Sequence, residues 1–128
     1  MSGESRLRIL VVDDDEHIRK SLAQYLEMED FEVDVASSGP EALDAAERQA
    51  PDVVLLDIMM PKMDGFEVIG HLRGRPATAR VPVILLTARG QDTDVIRGYQ
   101  LGVSSYITKP FNLDELVETI REVLPVQP

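Results

Sequence analysis

Apolar positions in this chain fall into two alternating patterns. Leu7 to Val12 is nearly all apolar and stops at Asp13, Asp14 and Asp15. Val53 to Leu56 stops at Asp57, and Val81 to Leu86, interrupted only by Pro82, stops at Thr87. Continuous Val/Ile/Leu runs of this length predict strands buried on both faces, as in a parallel sheet covered by helices. Phe31, Val33 and Val35 alternate with Glu32 and Asp34 instead, which predicts a half-exposed strand nearer an edge. Ser105 to Thr108 is assigned as a fifth strand mainly from its place in the alternation.

Between these runs the period becomes helical. Ile18, Leu22, Tyr25 and Leu26 share one face, and Ala42, Leu43 and Ala46 make a face of small residues. Phe66, Ile69 and Leu72 predict another helix, with Gly74 and Pro76 at its exit. Leu113, Leu116, Val117, Ile120 and Leu124 form the cleanest i, i+3, i+4 stripe. The stretch from Asp92 to Leu101 carries Val95, Ile96 and Tyr99 but also Gly98, which costs a helix interior about 1 kcal/mol relative to Ala. It is expected to be a helix of low intrinsic stability.

Strand and helix therefore alternate five times. Such a pattern predicts an α/β fold with parallel strands joined by right-handed crossovers and helices on both faces. Five strands suit the flavodoxin-like, doubly wound order 2-1-3-4-5, a (βα)5 three-layer sandwich whose ligands sit outside the carboxyl ends of the strands. The expected organisation is one domain over residues 1–128. Its core covers about 7–124, between a short N-terminal arm and a proline-containing tail that cannot continue a helix.

Charge narrows the function. The 128 residues carry 13 Lys and Arg against 23 Asp and Glu, a net charge of −10. That balance argues against direct nucleic-acid binding and against docking on an anionic membrane. No cysteine is present, which excludes disulfides, thiolate metal sites and thiol nucleophiles. No apolar run approaches a membrane span and the start, MSGESR, is polar, so a cytoplasmic location is expected.

The strand ends carry the candidate chemistry. Asp13 and Asp14 follow the first strand, Asp57 the third, Thr87 the fourth and Lys109 the fifth. Singly each has an ordinary explanation: acidic residues cap helices, Asp57 starts a turn, and lysines are mostly solvated. Placed together on one rim they have another. Two unit charges 4 Å apart interact by about 4 kcal/mol at an effective dielectric of 20, so three crowded carboxylates call for a cation. Oxygen ligands with open positions suit Mg²⁺, which takes phosphate oxygens as further ligands. With an ammonium and a hydroxyl beside it, such a site is equipped for phosphoryl transfer, and a carboxylate can be the nucleophile.

Four segments in order carry a resemblance: ILVVDDDE at 9–16, VVLLDIMMPKMDGFEV at 53–68, PVILLTA at 82–88 and GVSSYITKPF at 102–111. Together they resemble the response-regulator receiver domain of two-component signalling over essentially the whole chain. The resemblance implies Asp57 as phosphoacceptor, with a histidine kinase or phosphotransfer protein as donor. It implies Mg²⁺, with Mn²⁺ as a possible substitute, held by Asp14 directly, Asp13 through water, Asp57, and the Met59 backbone carbonyl. Lys109 and Thr87 would bind phosphoryl oxygens. Thr87 and Tyr106 would form the switch that alters the face of the fourth helix, fifth strand and fifth helix. Pro110 would follow a cis peptide that positions Lys109, and Gly65 would serve a tight turn through φ > 0. Met59 and Arg89 stand at the family's lifetime-tuning positions, and Met59 cannot orient a water by hydrogen bonding. The expected product is a phosphorylated switch rather than a turnover enzyme, acting on an effector protein or domain.

The resemblance is uneven in places. Ser104, Ser105 and Asp114 stand where winged-helix transcription factors usually carry an acidic pair and an arginine, so a monomer or a weak phosphorylation-dependent dimer is expected. The RPATARVPV stretch at 75–83 is more similar to single-domain or hybrid-type receivers. His17, exposed after the acidic cluster, and His71 receive no role. Three rivals remain. A carboxylate-nucleophile phosphohydrolase would use Asp13 and Asp15, but has His17 where Thr or Val is expected. A flavin-binding protein needs a phosphate loop that DDDE would repel. A degenerate, unphosphorylated module would not need all five site residues.

Overall fold

The computed structural model describes residues 6–88 and 92–124. Five strands alternate with five helices. In chain order these are β1 (Arg8–Val12), α1 (Glu16–Met28), β2 (Glu32–Ala36), α2 (Gly39–Arg48), β3 (Val53–Asp57), α3 (Gly65–Arg73), β4 (Val83–Ala88), α4 (Asp92–Gln100), β5 (Ser105–Lys109) and α5 (Leu113–Val123). The strands form one parallel sheet in the order β2-β1-β3-β4-β5. Asp57, Thr87 and Lys109 belong to the ends of their strands rather than to the loops beyond them. β4 starts at Val83, two residues later than the apolar run, because Pro82 has no N–H for a ladder; its carbonyl accepts from the Val54 N–H at 3.0 Å instead.

The pleat sorts the three central strands into two cores. Leu10, Val12, Val54, Leu56 and Leu85 face α2 and α3, joined by Ala42, Ala46, Val68, Ile69 and Leu72. Ile9, Val11, Val53, Leu55, Ile84 and Leu86 face the other way onto Leu22 and Leu26 of α1 and Leu116, Val117 and Ile120 of α5. All eleven of those strand residues are 0–2% exposed, so β1, β3 and β4 are clamped from both sides. β2 lies at an edge. There Arg8 on β1 spans Glu32 (2.8 Å) and Asp34 (3.0 Å), which satisfies the polar members of its alternation.

Helix starts are fixed by side-chain caps. Asp15 accepts from the His17 and Ile18 N–H groups, Ser38 from Glu41, and Asn112 from Glu115. Asp64 and Glu67 form a reciprocal capping box at α3. α4 exists as expected, but Gly98 has a packing role in it. A Cβ there would collide with the side chain of Leu85, so the glycine lets α4 lie close on β4. The helix stops through paired bonds, Val103 N–H to the Gly98 carbonyl (3.1 Å) and Gly102 N–H to the Tyr99 carbonyl (3.0 Å). Gly102 has φ +88°, a left-handed stop that an L side chain rarely adopts.

Candidate functional site

The carboxyl ends of β1, β3 and β5 bring Asp13, Asp57 and Lys109 to one rim, and the turn after β1 adds Asp14. One carboxylate oxygen from each of Asp13, Asp14 and Asp57 lies within 4.8 Å of the others. Asp15 stands outside this trio as the cap of α1. The three consecutive aspartates therefore divide: two face the rim and one serves the helix.

The two buried acids differ in how they are satisfied. Asp13 is 0% exposed and every polar group on it has a partner. Its N–H donates to the Ala36 carbonyl at 3.2 Å. Its carbonyl accepts from Arg19 Nη1 at 2.9 Å. Oδ1 accepts from the Asp15 N–H at 2.9 Å, and Oδ2 from Lys109 Nζ at 2.8 Å. Asp57, 6% exposed, has less. Its Oδ1 accepts from the Met59 N–H at 3.3 Å and faces Lys109 Nζ at 3.5 Å. The shorter Lys109 ion pair is thus with Asp13, not with Asp57.

Burial, and then the charge of Asp13, push the Asp57 carboxyl up to about 6; Asp14 adds to this, while Lys109 and the Met59 N–H pull it back. Burial works to lower the Lys109 ammonium, but Asp13 and Asp57 outweigh it and its pKa rises. At neutral pH one ammonium faces three carboxylates. The uncompensated negative charge and the all-oxygen donor set fit a hard divalent cation such as Mg²⁺. Thr87, 3% exposed, lies on β4 one residue beyond Leu86, the register partner of Asp57. It pairs with Thr108 on β5, next to Lys109, so a hydroxyl, an ammonium and the acids share one end of the sheet.

The family model of the response regulator receiver domain matches residues 9–121. This chain belongs to that family. The probable transcriptional regulator ycf27 of Guillardia theta is 46% identical over 121 residues, 94% of this chain and 46% of that protein. The transcriptional regulatory protein ResD of Bacillus subtilis is 40% identical over 124 residues, 97% of this chain and 50% of that protein. The chain thus spans about half the length of these curated relatives. The chemotaxis protein CheY4 of Vibrio cholerae superposes with a TM-score of 0.90 at 32% identity, covering 94% of this chain and 100% of that one. The sequence signal towards single-domain receivers thus meets both kinds of relative: regulators about twice as long, and a structure of the same extent.

The remaining expected positions of the receiver domain fall as follows. The Lys109–Pro110 peptide is cis. Tyr106 is 42% exposed on β5, and its ring meets that of Tyr99 on α4 edge to face at 6.2 Å. Met59 is 63% exposed beside Asp57. Arg89 lies outside the described residues. Gly65 does not play the expected φ > 0 role. Gly65 is not among the positive-φ residues; Lys62 (φ 72°) takes that role in the preceding loop. What a side chain at Gly65 would meet is backbone, 2.9 Å from Ile58 Cα and 3.0 Å from the Asp57 carbonyl oxygen. The glycine lets the start of α3 press against the end of β3, where its N–H donates to the Ile58 carbonyl at 3.0 Å.

Three contacts escaped the sequence reading. Arg19 on α1 holds the Asp13 carbonyl; its one signal is its place a turn beyond the Asp15 cap. Tyr25 donates to Asp114 Oδ1 at 2.5 Å, tying α1 to the first turn of α5. Arg97 on α4 lies over the Phe66 ring at 4.3 Å, tying α4 to α3. The latter two join residues far apart in sequence and have no local signature.

Proposed function

We propose that Asp57 is the phosphoacceptor of this receiver domain and that Asp13, Asp14, Asp57 and the Met59 carbonyl hold Mg²⁺ there. The observation that carries this is the trio of carboxylates within 4.8 Å of one another, with Lys109 between Asp13 (2.8 Å) and Asp57 (3.5 Å). Bound Mg²⁺ would neutralise acidic charge and favour the approach of an anionic donor. A carboxylate oxygen of Asp57, ionised at neutral pH, attacks the phosphorus of a phosphohistidine. The P–N bond breaks, the imidazole nitrogen keeps the electron pair and takes a proton from water, and an acyl phosphate forms on Asp57. Lys109 and Thr87 then hydrogen-bond phosphoryl oxygens.

The partner delivering the group is a histidine kinase or phosphotransfer protein. A largely apolar groove lined by Ile18, Leu22, Pro110, Phe111 and Leu113 opens beside Lys109 and offers it a surface. Output follows when Thr87 is drawn to the phosphoryl group and Tyr106 turns inward. Tyr106 packs edge to face on the exposed Tyr99 of α4, where Ile96 is also exposed one turn earlier, so its movement would remodel that surface for an effector. The longer relatives are transcriptional regulators, which makes a DNA-binding effector the coherent output. Among the described residues no helix is long and apolar enough to cross a membrane, and action in the cytoplasm fits a kinase-fed switch.

Incubation with Mg²⁺ and a small phosphoramidate or acyl-phosphate donor tests the proposal. A single base-labile phosphoryl group is expected, absent in Asp57→Asn and without metal. No modification of the wild type would overturn it in favour of an unphosphorylated module; steady turnover of phosphate esters would overturn it in favour of a phosphohydrolase.

A further inference from the structure

We infer that Arg19 is a positioning residue for the metal site, acting through the backbone of Asp13. The inference rests on the acidic trio being a Mg²⁺ site. Arg19 Nη1 donates to the Asp13 carbonyl at 2.9 Å, across six residues of sequence and from the second turn of α1. That carbonyl belongs to the peptide joining Asp13 to Asp14. Fixing it fixes the plane from which the Asp14 chain departs.

The other restraints on the loop do not do this. The Asp13 side chain is held by the Asp15 N–H (2.9 Å) and by Lys109 (2.8 Å), and its N–H by the Ala36 carbonyl (3.2 Å). The Asp13 N–H and Lys109 bonds act before or beside the Asp13–Asp14 peptide, and the Asp15 N–H bond closes the loop after Asp14; the Asp13 carbonyl itself is left to Arg19. Asp14 is exposed, and its neighbour Asp15 is committed to α1 as its cap. The guanidinium thus adds a side-chain clamp on the carbonyl of the peptide that leads into the exposed carboxylate, beside the Asp15 N–H that closes the loop behind it. Partners that orient metal ligands commonly change metal affinity by about 10–100-fold when removed. Arg19 is half-buried on α1 and lines a surface groove with Glu16, Lys20, Ala23 and Val35.

Charge and positioning make opposite demands here, which gives the test its sign. A guanidinium beside an acidic cluster repels a divalent cation, so its removal by charge alone tightens Mg²⁺ binding. Loss of the clamp loosens it. Mg²⁺ affinity of the intact chain is measured by calorimetry for wild type, Arg19→Ala, Arg19→Gln and Arg19→Lys, with urea unfolding of the metal-free proteins alongside. The expected result is a dissociation constant raised about tenfold in Arg19→Ala and Arg19→Gln, despite the lost positive charge, and largely recovered in Arg19→Lys. Unchanged or tighter binding in the Ala and Gln variants would overturn the inference, whatever their stability. So would a Lys variant as weak as Ala. If the Ala variant does not fold, the Gln and Lys pair decides. A wild type that binds no Mg²⁺ would overturn the metal site itself, a result distinct from failure of Arg19 alone.

Discussion

Replacing Asp57 by Asn is expected to stabilise the metal-free protein while abolishing phosphorylation. Burial and Asp13 raise the Asp57 carboxyl from 3.8 to about 6. Each pKa unit corresponds to about 1.4 kcal/mol, so holding this group ionised in the folded state costs about 3 kcal/mol at most. The sign follows from linkage. The folded pKa is raised, so the contribution of this carboxyl to stability is fully present below 3.8 and is lost as pH rises through about 6. Asn does not titrate and avoids the cost. It also leaves no orphan cation, because Lys109 keeps Asp13 at 2.8 Å. A gain of about 1–3 kcal/mol at pH 8 in chelator is therefore expected, about 1 M in urea midpoint for an m-value of this size class. The gap should close between pH 6 and 4, where wild-type Asp57 takes up its proton. Carboxylates remote from the site titrate alike in both proteins and cancel in the difference. Added Mg²⁺ should narrow the gap at pH 8, since it stabilises the wild type by mass action and loses a ligand in the variant. A variant no more stable than wild type at pH 8, or a difference that does not change with pH, would refute the reasoning.

Asp14→Asn should weaken Mg²⁺ binding by about tenfold or more in calorimetry with little change in metal-free stability, because Asp14 is exposed and Asp13 carries the fold contacts. Gly98→Ala should destabilise in urea unfolding, although helix propensity alone would gain about 1 kcal/mol, because the added Cβ meets Leu85. Tyr25 should titrate at about 12 by ultraviolet absorbance, since its hydrogen bond to Asp114 favours the neutral phenol. Asp114→Asn should return it towards 10, and the stabilisation, present below 10, is lost as pH rises through 12. Met59→Asn should speed loss of the phosphoryl group, followed by decay of the phosphorylated species. Met59 is 63% exposed beside Asp57 and offers water no hydrogen-bond donor, and an unchanged rate would remove it from the control of lifetime.

The fold was legible because its signals are local. β1, β3 and β4 are each clamped between two cores, so their apolar runs are unbroken, and the order 2-1-3-4-5 is one that five right-handed alternations suit. The acidic rim was legible for the same reason: once the strands are placed, topology alone brings Asp13, Asp57, Thr87 and Lys109 to one end of the sheet. What stayed hidden depends on side chains crossing between elements. Arg19 reaching the Asp13 carbonyl, Tyr25 reaching Asp114 and Arg97 covering Phe66 need the packed geometry before they can be seen. In the sequence Gly65 suggests a turn with φ > 0 and Gly98 a weak helix, whereas the structure uses both for close approach. A glycine in a sequence shows a missing side chain but not what occupies its place.

The contrast between the two buried acids is what favours Asp57 over Asp13 as the proposed acceptor. Asp13 accepts a bond on each carboxylate oxygen at 2.8–2.9 Å and has both backbone groups bonded, so it is the better satisfied acid, with lone pairs left over for the metal site. Asp57 is nearly as buried but is held only at 3.3 Å and 3.5 Å, both contacts on Oδ1; among the described residues Oδ2 has no hydrogen-bond partner. A carboxylate in that state is both destabilised and free to form a bond. Its raised pKa is the same fact in another measure: the site keeps a charge where solvent cannot relieve it and protein does so only in part. A bound cation would relieve it before transfer, and bonding to phosphorus would remove it from the attacking oxygen. Asp13, by holding Lys109 at the shorter distance, keeps the ammonium within reach without letting it neutralise the nucleophile. Shortening the Lys109–Asp57 contact at the expense of Asp13 would make Asp57 more stable and less reactive, so the unequal sharing of one lysine suits Asp57 to the proposed acceptor role.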